Sequence, residues 1–420
     1  MDFATNEVYC VNWKSILMYG TIFVAALTAL FAYLLAVQVP FMNITPDGQL
    51  YYNMAENLLE GNGLINQVRV EEIIVPPLFA IILSVFAFLF KSETSFFVFQ
   101  YILYGMNAIL VAAIAKNFFK NNASALIVGL LYAVQTVLIR NGPQFLLTET
   151  IFITLILISV LLLKKWIDSE GSIKNAGYLI VFISFTLLFR PHLMFMFVLL
   201  GMLLLYYVWK DKKKLLIVLF GLVPIGLLMV NGMYNQHLHG EYVTLENYSG
   251  QNLYIANNPS TKVDFFATTI QEEFVEPYFY TLSEKSLPER SIILKERAKE
   301  YMLSHPVETL KNVIGKMVLF FQPLDTVDLL SMILSGVGLV AAIIFDKKRR
   351  LLHLSMLIYM IGFTSLTALG LLIGGQRYRA PLAPVYLLYI GFLPVLIARR
   401  GRSTWTTPNS DTSQKTLHIE

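Results

Sequence analysis

From Ser15 to Pro40 the chain runs without a charged residue. A helix needs about 20 apolar residues to cross roughly 30 Å of hydrocarbon, and every backbone polar group inside the lipid must be satisfied by the helix itself. This run therefore points to a membrane helix, and it has company. The stretches 96–116, 122–140, 145–163, 176–190, 192–209, 214–234, 327–345, 351–374 and 380–398 also qualify or come close. The expected fold is all-α, a polytopic membrane bundle of about ten transmembrane helices. Only 14% of the residues are charged, against roughly 25% in soluble domains. The mean hydropathy is +0.61. The net charge of +4 is too small to suggest a nucleic-acid partner. Cys10 is the single cysteine, so an intrachain disulfide is excluded. The run after Lys14 is too long for a signal-peptide core and reads as a retained first span.

Lys and Arg in short loops set orientation. They fall in islands: Lys14; Lys116 and Lys120; Lys164 and Lys165; Lys210 and Lys212 to Lys214; Lys347 to Arg350; Arg399, Arg400 and Arg402. With ten spans, all the islands lie on one side, the expected cytoplasm. This count leaves out 75–90 and 306–323, read as re-entrant or interfacial helices. The expected organisation is a membrane module over 1–234 with a first outer loop at 41–95. An outer-face soluble segment at 235–312, membrane helices over 313–402 and a disordered cytoplasmic tail at 403–420 follow. A helix is predicted at 284–304, closed by His305-Pro306. Asn43-Ile44-Thr45 and Asn247-Tyr248-Ser249 match the glycosylation-acceptor pattern on the outer side.

Several charges sit where the outer leaflet should be poor in them. Arg69, Arg140, Arg190, Arg377 and Arg379 all fall at outward span ends or in outer loops. A cation in hydrocarbon is expensive, so such residues tend to face a cavity and meet an anion. Guanidinium offers paired donors that suit phosphate. Arg140, Arg190, Arg377 and Arg379 are therefore candidate phosphate ligands; the alternative is snorkelling to headgroups or pairing with a local acid. Acids share this side. Asp47 opens a helical pattern (Leu50, Tyr51, Met54, Ala55, Leu58, Leu59) that ends at Gly61-Asn62-Gly63. It is either a helix cap or a base facing the outer side. Glu149 starts a span, and Glu71 and Glu72 precede Pro76-Pro77.

The run Asp47-(x)3-Tyr51-(x)3-Ala55-(x)2-Leu58-(x)2-Gly61-x-Gly63 resembles the first outer loop of GT-C membrane glycosyltransferases. It is most similar to the family 39 group of protein O-mannosyltransferases and lipid A aminoarabinose transferases. Pro76-Pro77-Leu78-Phe79, Leu147-Thr148-Glu149, Phe189-Arg190-Pro191 and Arg377-Tyr378-Arg379-Ala380-Pro381 resemble further elements of that group in the same order. The resemblance implies a multi-pass enzyme of the plasma (inner) membrane with its active site on the non-cytoplasmic face. The donor would be a polyprenyl-phosphate sugar, undecaprenyl or dolichyl. The acceptor would be a hydroxyl on a lipid, glycan or protein, with inversion at the anomeric carbon. Asp47 would be the general base. Glu149, Tyr51 and Tyr378 are candidate substrate contacts, with Glu149 also a candidate second acid. Glu71 and Glu72 are candidate ligands for a divalent cation (Mg2+ or Mn2+). The pattern departs from the family at Gly48, where many members carry an acid, and at Ile73-Ile74-Val75, which separates Glu71 and Glu72 from the proline pair. The rival expectation is a transporter or flippase of lipid-linked saccharides. It predicts internal inverted symmetry, which the halves do not show.

Overall fold

The computed structural model describes residues 13–66, 73–191, 194–211, 215–261, 263, 282, 284–371 and 376–403. Arg69, Glu71, Glu72, His192, and all of the 403–420 tail beyond Ser403 lie outside the described residues. Regular structure within them is helical, apart from isolated bridge residues, among them the parallel pair Asn43 and Phe145.

Helix α1 (Trp13–Ala36) buries Ile22, Ala26, Leu30 and Leu34, one residue per turn, against α4 (Glu93–Phe119) and α5 (Asn122–Val134). Its other face presents Leu17, Val24 and Leu35. A helix that is apolar all round needs apolar surroundings on its outer face as well, which lipid supplies. Seven helices among the described residues are long and apolar enough to cross a membrane. Asn122–Val134, Ile173–Leu187 and Leu78–Phe90 are apolar but shorter. The protein is thus a polytopic helical bundle, with length and apolarity qualifying seven spans where ten were expected.

One of the differences has a physical cause. The expected span 122–140 breaks at Gln135, whose ψ of 111 ends α5 before the short α6 (Thr136–Arg140). The Gln135 side chain is buried and donates to Asp328 Oδ1 at 2.6 Å, so a polar contact from another helix compensates the interrupted ladder. Helix α3 (Leu78–Phe90), in the 75–90 segment left out of the expected spans, has 13 residues, about 20 Å at 1.5 Å per residue, too short to cross alone.

Helix α7 (Glu149–Asp168) runs opposite to α8 (Ile173–Leu187), and α9 (Met194–Asp211) and α10 (Leu215–His239) follow. The basic ends of α4 and α7, at Lys116 and Lys165, share one end of the bundle with the 347–350 run. The N-terminus of α7 and the C-terminus of α8 lie at the other end.

At that far end, α11 (Ser249–Ala256) packs on α12 (Leu287–Ser304). The predicted helix at 284–304 starts at Leu287, fixed by a capping box between Ser286 and Glu289. Helix α13 (Pro306–Phe320) inverts the soluble pattern. Val307, Leu310, Ile314 and Val318 are exposed, whereas Asn312 and Lys316 are buried. Lys316 Nζ donates to the Ala256 carbonyl at 2.6 Å, at the C-terminus of α11, where free carbonyls attract a cation. Asn257 reaches the Leu369 carbonyl at 2.7 Å. These bonds tie the outer segment to α13 and to α15 (Arg350–Gly370) respectively. Helix α14 (Thr326–Phe345) lies so close to the 388–392 turn that a Cβ on Gly338 would stand 2.0 Å from the Tyr389 carbonyl oxygen. Asn247 is buried with its amide oxygen accepting from the Ile74 N–H, so it is not presented as a glycan acceptor.

Candidate active site

A cavity of about 390 Å³ opens at the end of the bundle away from the 347–350 basic run. Asp47, Tyr51, Pro76, Thr148, Arg190, Glu246, Tyr248, Arg377 and Tyr378 are among its lining residues. They come from six separated parts of the chain, and backbone pairing explains how several of them meet.

The first part is the start of α2 (Pro46–Leu59). Asn43 N–H donates to Gln144 at 2.8 Å, and Leu146 N–H donates back to Asn43 at 2.9 Å. This bridge places the first outer loop beside the segment leading into Glu149. Thr45, not Asp47, caps α2: its hydroxyl accepts from Gly48 N–H at 3.1 Å. Asp47 is left free of capping duty in the first turn, with its side chain 59% exposed. Gly48 is required by the same packing, because a Cβ there would stand 2.4 Å from the Leu146 carbonyl oxygen. No side chain has room at this position without a shift of the backbone.

The Pro76-Pro77 segment forms the next wall. Leu78 N–H donates to Leu188 O at 3.0 Å, joining it to the end of α8 beside Arg190. Phe79 meets Tyr51, Phe96 and Phe189 edge-on, with centroids 4.9, 5.7 and 5.7 Å away. Arg190 stacks over Phe152 at 5.5 Å, which holds its guanidinium at the cavity wall.

The charges form one network. Glu149, 1% exposed at the N-terminus of α7, accepts from Arg377 Nε at 2.6 Å and from Arg190 Nη2 at 2.9 Å. Arg377 Nη1 also donates to Asp47 Oδ2 at 2.8 Å. A buried carboxylate is tolerated only when paired and bonded, and two guanidiniums supply that here. Burial opposes the Arg377 charge, but Glu149 and Asp47 outweigh it and push its pKa up. Arg377 Nη2 has no protein partner among the described residues, so it keeps donors for a ligand. Tyr51 feels Arg190, Asp47, Glu149 and Glu246 together, and burial pushes its phenol up, so it stays a neutral donor.

The sequence readings fare differently. Asp47, Tyr51, Glu149, Arg190, Arg377 and Tyr378 come together around the cavity. Arg379 does not. It is fully buried, bonded to Asp328, Gln322 O and Met332 Sδ, and its charge is consumed in holding α14 against the 376–382 turns. Two residues along a tight turn are enough to aim it away from Arg377. Arg140 is exposed at the end of α6 and does not line the cavity. Arg69, Glu71 and Glu72 fall outside the described residues.

Glu246 and Tyr248 were not expected. They reach the cavity because Ile74 N–H donates to Asn247 Oδ1 at 3.0 Å and Asn247 N–H donates to Ile74 O at 3.4 Å. The available signal was the polar run Glu246-Asn247-Tyr248 soon after an apolar helix ends on the outer side.

No group of three or more His, Cys, Asp or Glu side chains is placed to hold a metal among the described residues. Asp47 and Glu149 already face guanidinium, so the described cavity takes its positive charge from Arg190 and Arg377. Compared with known proteins, the chain matches no family model and no curated sequence.

Proposed function

We propose that this protein is a membrane glycosyltransferase. It moves a sugar from a polyprenyl-phosphate donor to an acceptor hydroxyl on the non-cytoplasmic side of the plasma membrane. One observation carries the reading: Arg377 joins the exposed Asp47 carboxylate to the buried Glu149, beside Arg190, in a cavity at a membrane-helix end. The resemblance in the first outer loop supports it. The basic residues at the opposite ends of α4 and α7 support the outward orientation under the positive-inside rule.

In this reading Asp47 takes the proton of the acceptor hydroxyl. The acceptor oxygen then attacks the anomeric carbon from the face opposite the phosphate, with inversion. The bond from that carbon to the phosphate oxygen breaks, and its electron pair stays on the phosphate. Arg190 and Arg377 stabilise the charge that develops there, where burial strengthens each contact. Glu149 holds both guanidiniums in place. Tyr51 and Tyr378 line the space that the sugar would occupy.

The test is sugar release from a panel of radiolabelled polyprenyl-phosphate sugars by purified protein, with Asp47→Asn alongside. A base of this kind contributes about 10²- to 10⁴-fold. Release that falls by that factor in a folded Asp47→Asn protein is expected. Equal release by the variant removes the base assignment. Tight donor binding with no release favours a transporter of lipid-linked saccharides.

A further inference from the structure

We infer that one face of α11 reads the donor sugar through Gln251 and Asn252 and selects a neutral, hydroxyl-bearing sugar, a role that rests on the transferase reading above. Tyr248, Gln251, Asn252 and Ile255 all line the cavity. Their spacing of i, i+3, i+4 and i+7 puts them on one side of a helix. Tyr248 is the N-cap of α11 and the other three lie within it. All four are half-buried, whereas Gly250, Tyr254 and Ala256 between and beside them are buried. The short helix thus has one side for the protein, where it packs on α12, and one for the cavity.

That cavity side is held at both ends. Gly250 N–H donates to Ser291 Oγ at 3.0 Å. A Cβ on Gly250 would stand 1.8 Å from the Ser291 carbonyl oxygen, so the two helices meet backbone to backbone. At the other end Lys316 Nζ donates to the Ala256 carbonyl at 2.6 Å, and the Asn257 amide donates to the Leu369 carbonyl at 2.7 Å. A wall fixed in this way offers its polar groups at set positions, which gives a pocket its specificity.

The chemistry of this wall differs from that of the rest of the lining. The charged lining residues among those described are Asp47, Arg190, Glu246 and Arg377, and α11 contributes none of them. With the lipid phosphate on Arg190 and Arg377, the sugar extends into the remaining space. Neither the Gln251 nor the Asn252 side chain is hydrogen-bonded among the described residues. Each amide carries two N–H donors and a carbonyl acceptor. Sugar hydroxyls both donate and accept, so neighbouring hydroxyls on a ring match these amides without any charge. The Tyr248 ring on the same face adds apolar area for the C–H side of a sugar. A uronic acid would meet no cation on this wall and would bring its carboxylate into a cavity that already holds Asp47 and Glu246.

The experiment is equilibrium binding by purified full-length protein, without acceptor, of labelled polyprenyl phosphate and of polyprenyl-phosphate glucose, mannose and glucuronic acid. Wild type should bind a hexose lipid more tightly than the sugar-free lipid and than the glucuronic acid lipid. Gln251→Ala and Asn252→Ala should each weaken the hexose lipid by about 2- to 10-fold, the worth of a neutral hydrogen bond. Both should bind the sugar-free lipid as wild type does. Gln251→Met and Asn252→Leu keep the bulk of the side chains and give the same test where alanine unsettles the wall. Weakening of both lipids alike, or of neither, overturns the assignment, even where the acceptor KM rises instead. Tighter binding of the glucuronic acid lipid overturns it too. Equal affinity of wild type for the sugar-free and hexose lipids, beside sugar release that depends on Asp47, overturns the α11 role and leaves the transferase standing. A hexose preference that needs Gln251 and Asn252, with no release that depends on Asp47, keeps the sugar-reading face and removes the transferase.

Discussion

Arg377 ties Asp47 to Glu149: its Nη1 lies 2.8 Å from Asp47 Oδ2 and its Nε lies 2.6 Å from Glu149 Oε1. One planar guanidinium thus links an acid at the cavity mouth with an acid that water does not reach. Lysine cannot make that link, because an ammonium is a point charge without the rigid fork. Arg377→Lys should keep the fold but weaken binding of a polyprenyl phosphate by about 1.5–3 kcal/mol, roughly 10- to 100-fold in Kd. Binding of a labelled polyprenyl phosphate to the purified variant measures this. Wild-type affinity in Arg377→Lys would show that the guanidinium geometry is not used.

Gly48 supports the site through an absence. Its α-carbon faces the Leu146 carbonyl so closely that even alanine would place a Cβ 2.4 Å from the oxygen. Either α2 or the 144–146 segment must shift, and both carry the pairing that sets Asp47 near Glu149. Gly48→Ala should lose about 1–3 kcal/mol of stability, the usual cost of overpacking, with activity falling further than stability alone explains. A melting curve in detergent and a turnover assay on the same preparation separate the two. Unchanged values in both would mean that the loop yields freely.

How much of this was visible in the sequence follows from the kind of signal each residue gives. Asp47, Glu149, Arg190 and Arg377 are charges at the outward edges of apolar runs, and such charges stand out without any structure. Arg379 gave the same signal and means something else. Its partner, Asp328, sits near the start of another helix far along the chain, and nothing local distinguishes an arginine facing a cavity from one locked in a buried pair. Gln135 is the same case: a polar residue inside an apparent span, with a break explained by that distant carboxylate. Glu246 was missed because loops carry no period. It is placed by the Asn247–Ile74 pairing between two separate outer loops, which one-dimensional pattern cannot show.

The Arg379–Asp328 pair offers a test that separates stability from chemistry. Both side chains are fully buried, and Asp328 also accepts from Gln135 and from the Leu324 N–H at 2.9 Å. Removing one partner leaves a buried charge uncompensated. Arg379→Met should therefore destabilise by about 3–5 kcal/mol. Adding Asp328→Leu should recover part of that loss, because the stranded carboxylate goes with it. Whatever folded Arg379→Met protein survives should bind polyprenyl phosphate as wild type does. A specific loss of that binding in a protein of normal stability would return Arg379 to the cavity.

Orientation decides which compartment supplies the acceptor, and it can be read without knowing the substrate. Lys120 is exposed just beyond α4, at the bundle end that also carries Lys165, and Glu308 is exposed at the start of α13 near the opposite end. Replacing Cys10 by serine removes the single native thiol. In that background Lys120→Cys and Glu308→Cys report the two ends separately. A membrane-impermeant maleimide added to intact cells should label Glu308→Cys and spare Lys120→Cys until the membrane is opened. The reverse pattern would put the Asp47 cavity in the cytoplasm and would contradict the positive-inside reading of Lys116, Lys165 and the 347–350 run. Labelling of both from outside would mean that an even number of crossings, not the odd number expected, separates Lys120 from Glu308, and the broken 122–140 segment, the nearest irregular element to Lys120, would be the first place to look.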